Sequence, residues 1–136
     1  MNEFFDYLYK YGLHDCMLDE IVFTNKKITF HFNSGVYELN PVGKETVLTK
    51  SCKIIVEFEN VEREDIFSCI DICQITYGKI KDVSFKDFIK QVEKFKFSID
   101  MQYYSHFCNS ILLKGYINNK KYEIIVFNIK KIHFIF

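Results

Sequence analysis

His14-Asp15-Cys16 is the triplet in this chain that most resembles catalytic equipment: a base, a carboxylate and a thiol in consecutive positions. A thiolate nucleophile needs a base to take its proton and a third group to orient that base. Neighbouring side chains on an extended segment point to opposite sides, so consecutive residues seldom supply this geometry. His14 and Cys16 can share a side, with Asp15 turned away. The competing reading makes Asp15 a turn residue, Cys16 a small buried apolar group and His14 a surface position. The expectation is the second reading.

Cys52, Cys69 and Cys73 are the next candidates. Cys69 and Cys73 would face together on a helix, but on a strand they would stand about 13 Å apart along one face. Structural zinc uses closer cysteine pairs on tight knuckles, so no metal site is expected. His31 and His133 project from the wet faces of two alternating segments, beside Lys27 and Lys131. As neighbours they would make a metal-binding or pH-responsive pair; apart, they are exposed strand positions. Glycine-rich phosphate loops, nucleophile elbows and His-Glu-x-x-His are absent. The chain is therefore read as having no catalytic residue, no cofactor and no metal.

Two stretches suit contact with a partner. Glu57, Glu59, Glu62, Glu64 and Asp65 crowd negative charge into a few residues, with Arg63 among them. Nothing sets one of these carboxylates against another for acid–base work, whereas steering a basic partner needs only accumulated charge. Tyr103-Tyr104-Ser105-His106-Phe107, with Tyr116 and Tyr122, is the aromatic candidate. Tyrosine offers large contact area at low entropy cost and is enriched at interfaces. The expected contact residues are Glu57, Glu59, Glu62, Glu64, Asp65, Tyr103, Tyr104 and His106.

The elements that must position these residues are mostly strands. Fifteen Phe and nine Tyr in 136 residues, no Ala and one Pro favour pleated, half-buried surfaces over long helices. Lys27-Ile28-Thr29-Phe30-His31-Phe32 alternates strictly, and Lys131–Phe136 nearly repeats the pattern, placing both ends in one antiparallel sheet with Phe136 in the core. The remaining strands are read at about 21–23, 36–39, 50–59, 66–76, 97–106, 109–117 and 121–128. A short amphipathic helix is expected over residues 2–11, stopped by Gly12, and the longest loop begins at Asn40-Pro41-Val42-Gly43. The clearest helix runs from Ser84 as N-cap to Phe95, with an apolar stripe of Phe85, Phe88, Ile89, Val92 and Phe95. The predicted fold is α+β: a curved, mostly antiparallel sheet of eight or nine strands in a meander, packed with one or two short helices, in a single domain over 1–136.

Formal charge sums to zero, against the excess of Lys and Arg that a general nucleic-acid binder needs. No apolar run approaches the roughly eighteen residues of a membrane span, and the first residues lack a signal-peptide pattern. With five cysteines and no pairing framework, reduced thiols and a cytoplasmic location are expected.

Leu13-His14-Asp15-Cys16 leads to Ile28-x-Phe30-x-Phe32-x-x-Gly35-Val36-Tyr37, and the distal half carries Tyr103-Tyr104, Asn109-Ser110-Ile111-Leu112, Gly115 and Tyr122-x-Ile124-x-Val126. In these features the chain resembles small proteins of low-GC Gram-positive bacteria, among them immunity proteins of polymorphic toxin systems. The resemblance implies a non-enzymatic protein that neutralises a cognate protein toxin by direct binding. Its motifs are strand alternation and turns, so it carries over no catalytic residue. Two other readings stand beside it: a module whose curved sheet and helix enclose an aromatic small-ligand pocket, and an enzyme using His14 and Cys16 or a metal.

Overall fold

The structure is a computed structural model that describes residues 8–24, 27–59, 63–105 and 107–136, with backbone alone for 63–65. In chain order come β1 (Tyr11–Gly12), β2 (Met17–Leu18), β3 (Glu20–Thr24), β4 (Lys27–Phe32), β5 (Tyr37–Leu39), β6 (Glu45–Leu48) and β7 (Cys52–Phe58). A 3-10 helix at Arg63–Cys69 precedes β8 (Ile70–Thr76), β9 (Lys79–Asp82) and the helix α1 (Phe85–Phe95). The last four strands are β10 (Phe97–Ser105), β11 (Ser110–Ile117), β12 (Lys120–Val126) and β13 (Ile129–Ile135).

These strands form a six-stranded sheet in the order β2-β10-β11-β12-β8-β9, a four-stranded sheet β13-β7-β4-β3, and a small sheet β1-β5-β6. Every pairing is antiparallel. The antiparallel α+β expectation therefore holds, but among the described residues thirteen strands in three sheets replace eight or nine in one meander. The physical reason is cover. One wide sheet would bare an apolar face larger than an eleven-residue helix can shield, whereas two sheets can cover each other.

That mutual cover is visible in the inward rows. Phe30 on β4, Ile54 on β7 and Ile132 on β13 confront Ile111 and Leu113 on β11 and Val126 on β12, leaving a residual gap of only about 20 Å³ between them. The matched end strands β4 and β13 do share a sheet, but β7 lies between them and pairs with both. Helix α1 begins as expected, with the Ser84 hydroxyl accepting from the Asp87 N–H at 3.1 Å. It buries Phe85, Phe88 and Val92 and packs on β3, β8 and β11.

Four expectations are corrected. Of the helix expected over 2–11, residues 1–7 lie outside the described residues, 8–10 form a turn and Tyr11–Gly12 pairs with β5 as a strand. Gly12 thus serves a strand that continues the chain past the proposed stop. The strand expected over 66–76 splits, because Ile66 and Cys69 are buried from a 3-10 turn and the ladder starts only at Ile70. The loop expected from Asn40 is the tight connection of the β5–β6 hairpin, closed by the Asn40 side chain, which accepts from the Val42 and Lys44 N–H groups. Phe136 is 54% exposed. It lies past the end of β13 and leans on Tyr11, ring centroids 4.8 Å apart, and on Phe134 at 6.5 Å, so the buried aromatic of that strand is Phe134.

Candidate functional site

Leu13-His14-Asp15-Cys16 folds into a tight turn, closed by the Cys16 N–H donating to the Leu13 carbonyl at 3.0 Å. Asp15 takes the left-handed conformation (φ 65°) that Asp tolerates better than most residues. The turn docks on β10: Asp15 N–H donates to the Ile99 carbonyl, Ile99 N–H donates to the Cys16 carbonyl (both 2.9 Å), and Leu13 N–H donates to Gln102 Oε1 at 2.7 Å. The triplet is thereby sorted. Cys16 is buried, and its thiol donates to the Gly12 carbonyl at 3.5 Å. Burial pushes that thiol up to about 12, the opposite of what a nucleophile requires. His14 faces out, with Nδ1 at 3.0 Å from Glu45 Oε1 and 3.1 Å from Asp15 Oδ2.

His14, Asp15 and Glu45 also hold their ligand atoms within 4.8 Å of one another, so these three could be offered to a cation. All three are exposed, and the two carboxylates are already turned onto the imidazole. In this geometry they tether the turn to β6.

His14 of this turn, with Gly12 before it, lines a groove of about 620 Å³. One wall is the outer half of β10, with Met101, Tyr103 and Tyr104; the other is the β5–β6 hairpin, with Leu39, Lys44 and Glu45. Tyr103 and Tyr104, successive at the end of β10, both reach the groove. The Tyr103 hydroxyl reaches Met101 Sδ at 3.7 Å, and Lys114 Nζ lies 5.9 Å from its ring centre. Tyr104 meets Tyr9 edge to face at 6.0 Å. Its hydroxyl is held above the usual range by burial first and by Tyr9 second. The groove therefore offers aromatic and thioether area beside a polar cluster, the mixed chemistry that protein interfaces favour.

The other expected site residues separate. Glu57 lies on the outer face of β7, where Lys27 Nζ answers its charge at 3.5 Å and His133 Nε2 lies 3.7 Å away. Glu59 follows β7, its N–H donating to the Asn128 carbonyl. Glu62 and His106 lie outside the described residues, as do the side chains of Glu64 and Asp65 in the 3-10 helix. Tyr116 is exposed on β11, while Tyr122 is buried beneath α1, its ring 5.9 Å from that of Phe88. Tyr122 is a core residue because it occupies an inward position of β12, alternating with Lys121 and Glu123. Cys69 is buried, Cys73 sits opposite Glu123 on β8, and Cys52 belongs to the other sheet, so the three cysteines do not converge. His31 and His133 are two strands apart, about 10 Å in sheet spacing.

Glu45 and Gln102, which complete the groove, were missed by sequence reasoning. Glu45 lay in a segment read as loop, and Gln102 inside a strand gave no sign that its amide would hold a turn 89 residues away. Leu39 had at least a strand signal.

The fold and groove define a mostly antiparallel α+β protein with an open aromatic cleft, in which no helix among the described residues is long and apolar enough to cross a membrane. Comparison with protein-family models, with curated proteins and with solved structures finds no match to this chain.

Proposed function

We propose that the chain is a non-enzymatic binding protein that neutralises a cognate protein toxin by direct contact, the role implied by its resemblance to immunity-type proteins. The observation that carries the reading is the groove between β10 and the β5–β6 hairpin. There Tyr103 and Met101 are exposed beside Tyr104, with the His14–Glu45 pair at one end. Aromatic anchors on a rigid strand hold their rotamers cheaply, and such residues dominate binding energy at interfaces. The buried Cys16 thiol supports a role without covalent chemistry.

The acidic stretch has a smaller part in this reading than the tyrosines. Glu57 is paired within its own sheet with Lys27, and the His133 ring lies beside it, which leaves less of its field for a partner.

The test is protection in cells. A candidate toxin, sought among the proteins encoded next to this chain's own gene, is expressed with and without the chain, and growth is followed. Rescue by the chain, lost when Tyr103 and Tyr104 are both changed to Ala, is the expected outcome. Rescue that survives the double change would move the contact surface elsewhere, and failure of the unaltered chain to rescue would overturn the reading.

A further inference from the structure

We propose that His14, Asp15 and Glu45 form a binding site for a divalent transition-metal ion of the zinc type. Each residue offers one ligand atom, and the three atoms lie within 4.8 Å of one another. His14 Nδ1 stands 3.1 Å from Asp15 Oδ2 and 3.0 Å from Glu45 Oε1. Imidazole and carboxylate bonds to zinc run about 2.0–2.2 Å, which sets neighbouring donors on one ion about 3.0–3.4 Å apart. Both separations from Nδ1 have that spacing. Two separately anchored pieces of backbone hold the donors there. The Asp15 N–H is tied to the Ile99 carbonyl of β10, and Glu45 sits opposite Leu39 in the β5–β6 ladder.

The donor set and its charge select the ion. Among the described residues no Lys or Arg pairs with Asp15 or Glu45, so the imidazole alone faces the two carboxylates. Nδ1 carries at most one hydrogen, yet two carboxylate oxygens converge on it. A straight hydrogen bond satisfies one of them, whereas an ion among the three donors bonds them all. A neutral imidazole with two carboxylates sums to two negative charges, which a divalent cation balances. The nitrogen donor then discriminates among such ions, because imidazole suits zinc, copper, iron and nickel while magnesium and calcium take oxygen. Three protein donors leave at least one position for water. His14 and Glu45 both line the groove between β10 and the β5–β6 hairpin, so the ion belongs to that groove, with Lys44 as the nearby cation lining it.

The test titrates the full chain, first stripped with a chelator, with Zn²⁺ at neutral pH by calorimetry, with no partner protein present. One saturable site is expected, with Mg²⁺ bound at least about 100-fold more weakly. His14→Ala and Glu45→Gln should each weaken Zn²⁺ by about tenfold or more. Both residues are exposed, so neither change puts the fold at risk. Cys108→Ser, which removes the exposed thiol, and His133→Ala, which removes a second imidazole beside a carboxylate, should leave Zn²⁺ binding unchanged. Absence of a saturable Zn²⁺ site overturns the proposal. So does Zn²⁺ binding that survives both His14→Ala and Glu45→Gln, or that is lost with Cys108→Ser or His133→Ala. Mg²⁺ binding as tight as that of Zn²⁺ overturns it too.

Discussion

His14 and Cys16 stand two residues apart in one turn and face different worlds: the imidazole meets Glu45 at 3.0 Å in solvent, while the thiol donates inward to the Gly12 carbonyl at 3.5 Å. The divergence follows from the left-handed Asp15 between them, whose N–H is tied to β10. The same turn that points His14 away from Cys16 sets His14 in the lining of the aromatic groove.

Thiol reactivity follows directly. Cys108 is exposed, whereas Cys16, Cys52 and Cys69 are buried. With a disulfide reagent at pH 8, Cys108 should react first and Cys73 more slowly, and the other three only on unfolding. Fast modification of Cys16 in the folded protein would contradict its placement. His14→Ala should cost under about 1 kcal/mol, as expected for an exposed ion pair.

Alkaline pH should destabilise the fold through the same buried thiols. Burial raises Cys16 to about 12 and Cys52 to about 11, from an ordinary value of 9.0. Below pH 9 both folded and unfolded forms keep these protons, and stability is unaffected. Above it the unfolded chain releases them while the folded chain retains them, so stability falls by about 1.4 kcal/mol per pH unit for each thiol until its folded value is reached. Urea midpoints should therefore drop between pH 9 and 11, and Cys16→Ala with Cys52→Ala should make that slope shallower.

Glycine substitutions should separate close approach from mere turn geometry. A Cβ at Gly115 would press on the Ser98 carbonyl oxygen and stand 2.8 Å from the Phe97 ring. At Gly35 (φ +86°) it would collide with the Thr49 carbonyl and lie 2.6 Å from that of Lys50. Gly43 has a positive φ but open space around it. Urea melts should show losses of about 3 kcal/mol for Gly115→Ala and Gly35→Ala, and only about 1 kcal/mol for Gly43→Ala.

The last strand should show a steep gradient. Phe134→Ala removes a buried ring stacked on Tyr11 at 5.4 Å and should cost about 3–5 kcal/mol. Removing the half-exposed Phe136 should cost about 1 kcal/mol or less. Thermal melts of the two variants check the ordering.

Local patterning made much of this fold legible. The alternations of 27–32 and 131–136 and the Ser84 cap each leave a mark within a few residues. What stayed hidden is non-local. The pairing of β12 with β8, the insertion of β7 between β4 and β13, and the Leu13–Gln102 bond join residues far apart in the chain. No short-range signal specifies such partners. Of the candidate site, Tyr103 and Tyr104 were legible as an aromatic pair. Their opposite wall was not, because Glu45 gains its role only when the β5–β6 hairpin folds beside His14.

The most direct measurement titrates the chain with a purified toxin domain sought among the proteins encoded next to its gene. The account predicts a one-to-one complex that weakens by about 2 kcal/mol or more, about 30-fold, when Tyr103 and Tyr104 are both Ala, and that Glu57→Lys changes far less. No complex, or one indifferent to the two tyrosines, would contradict it.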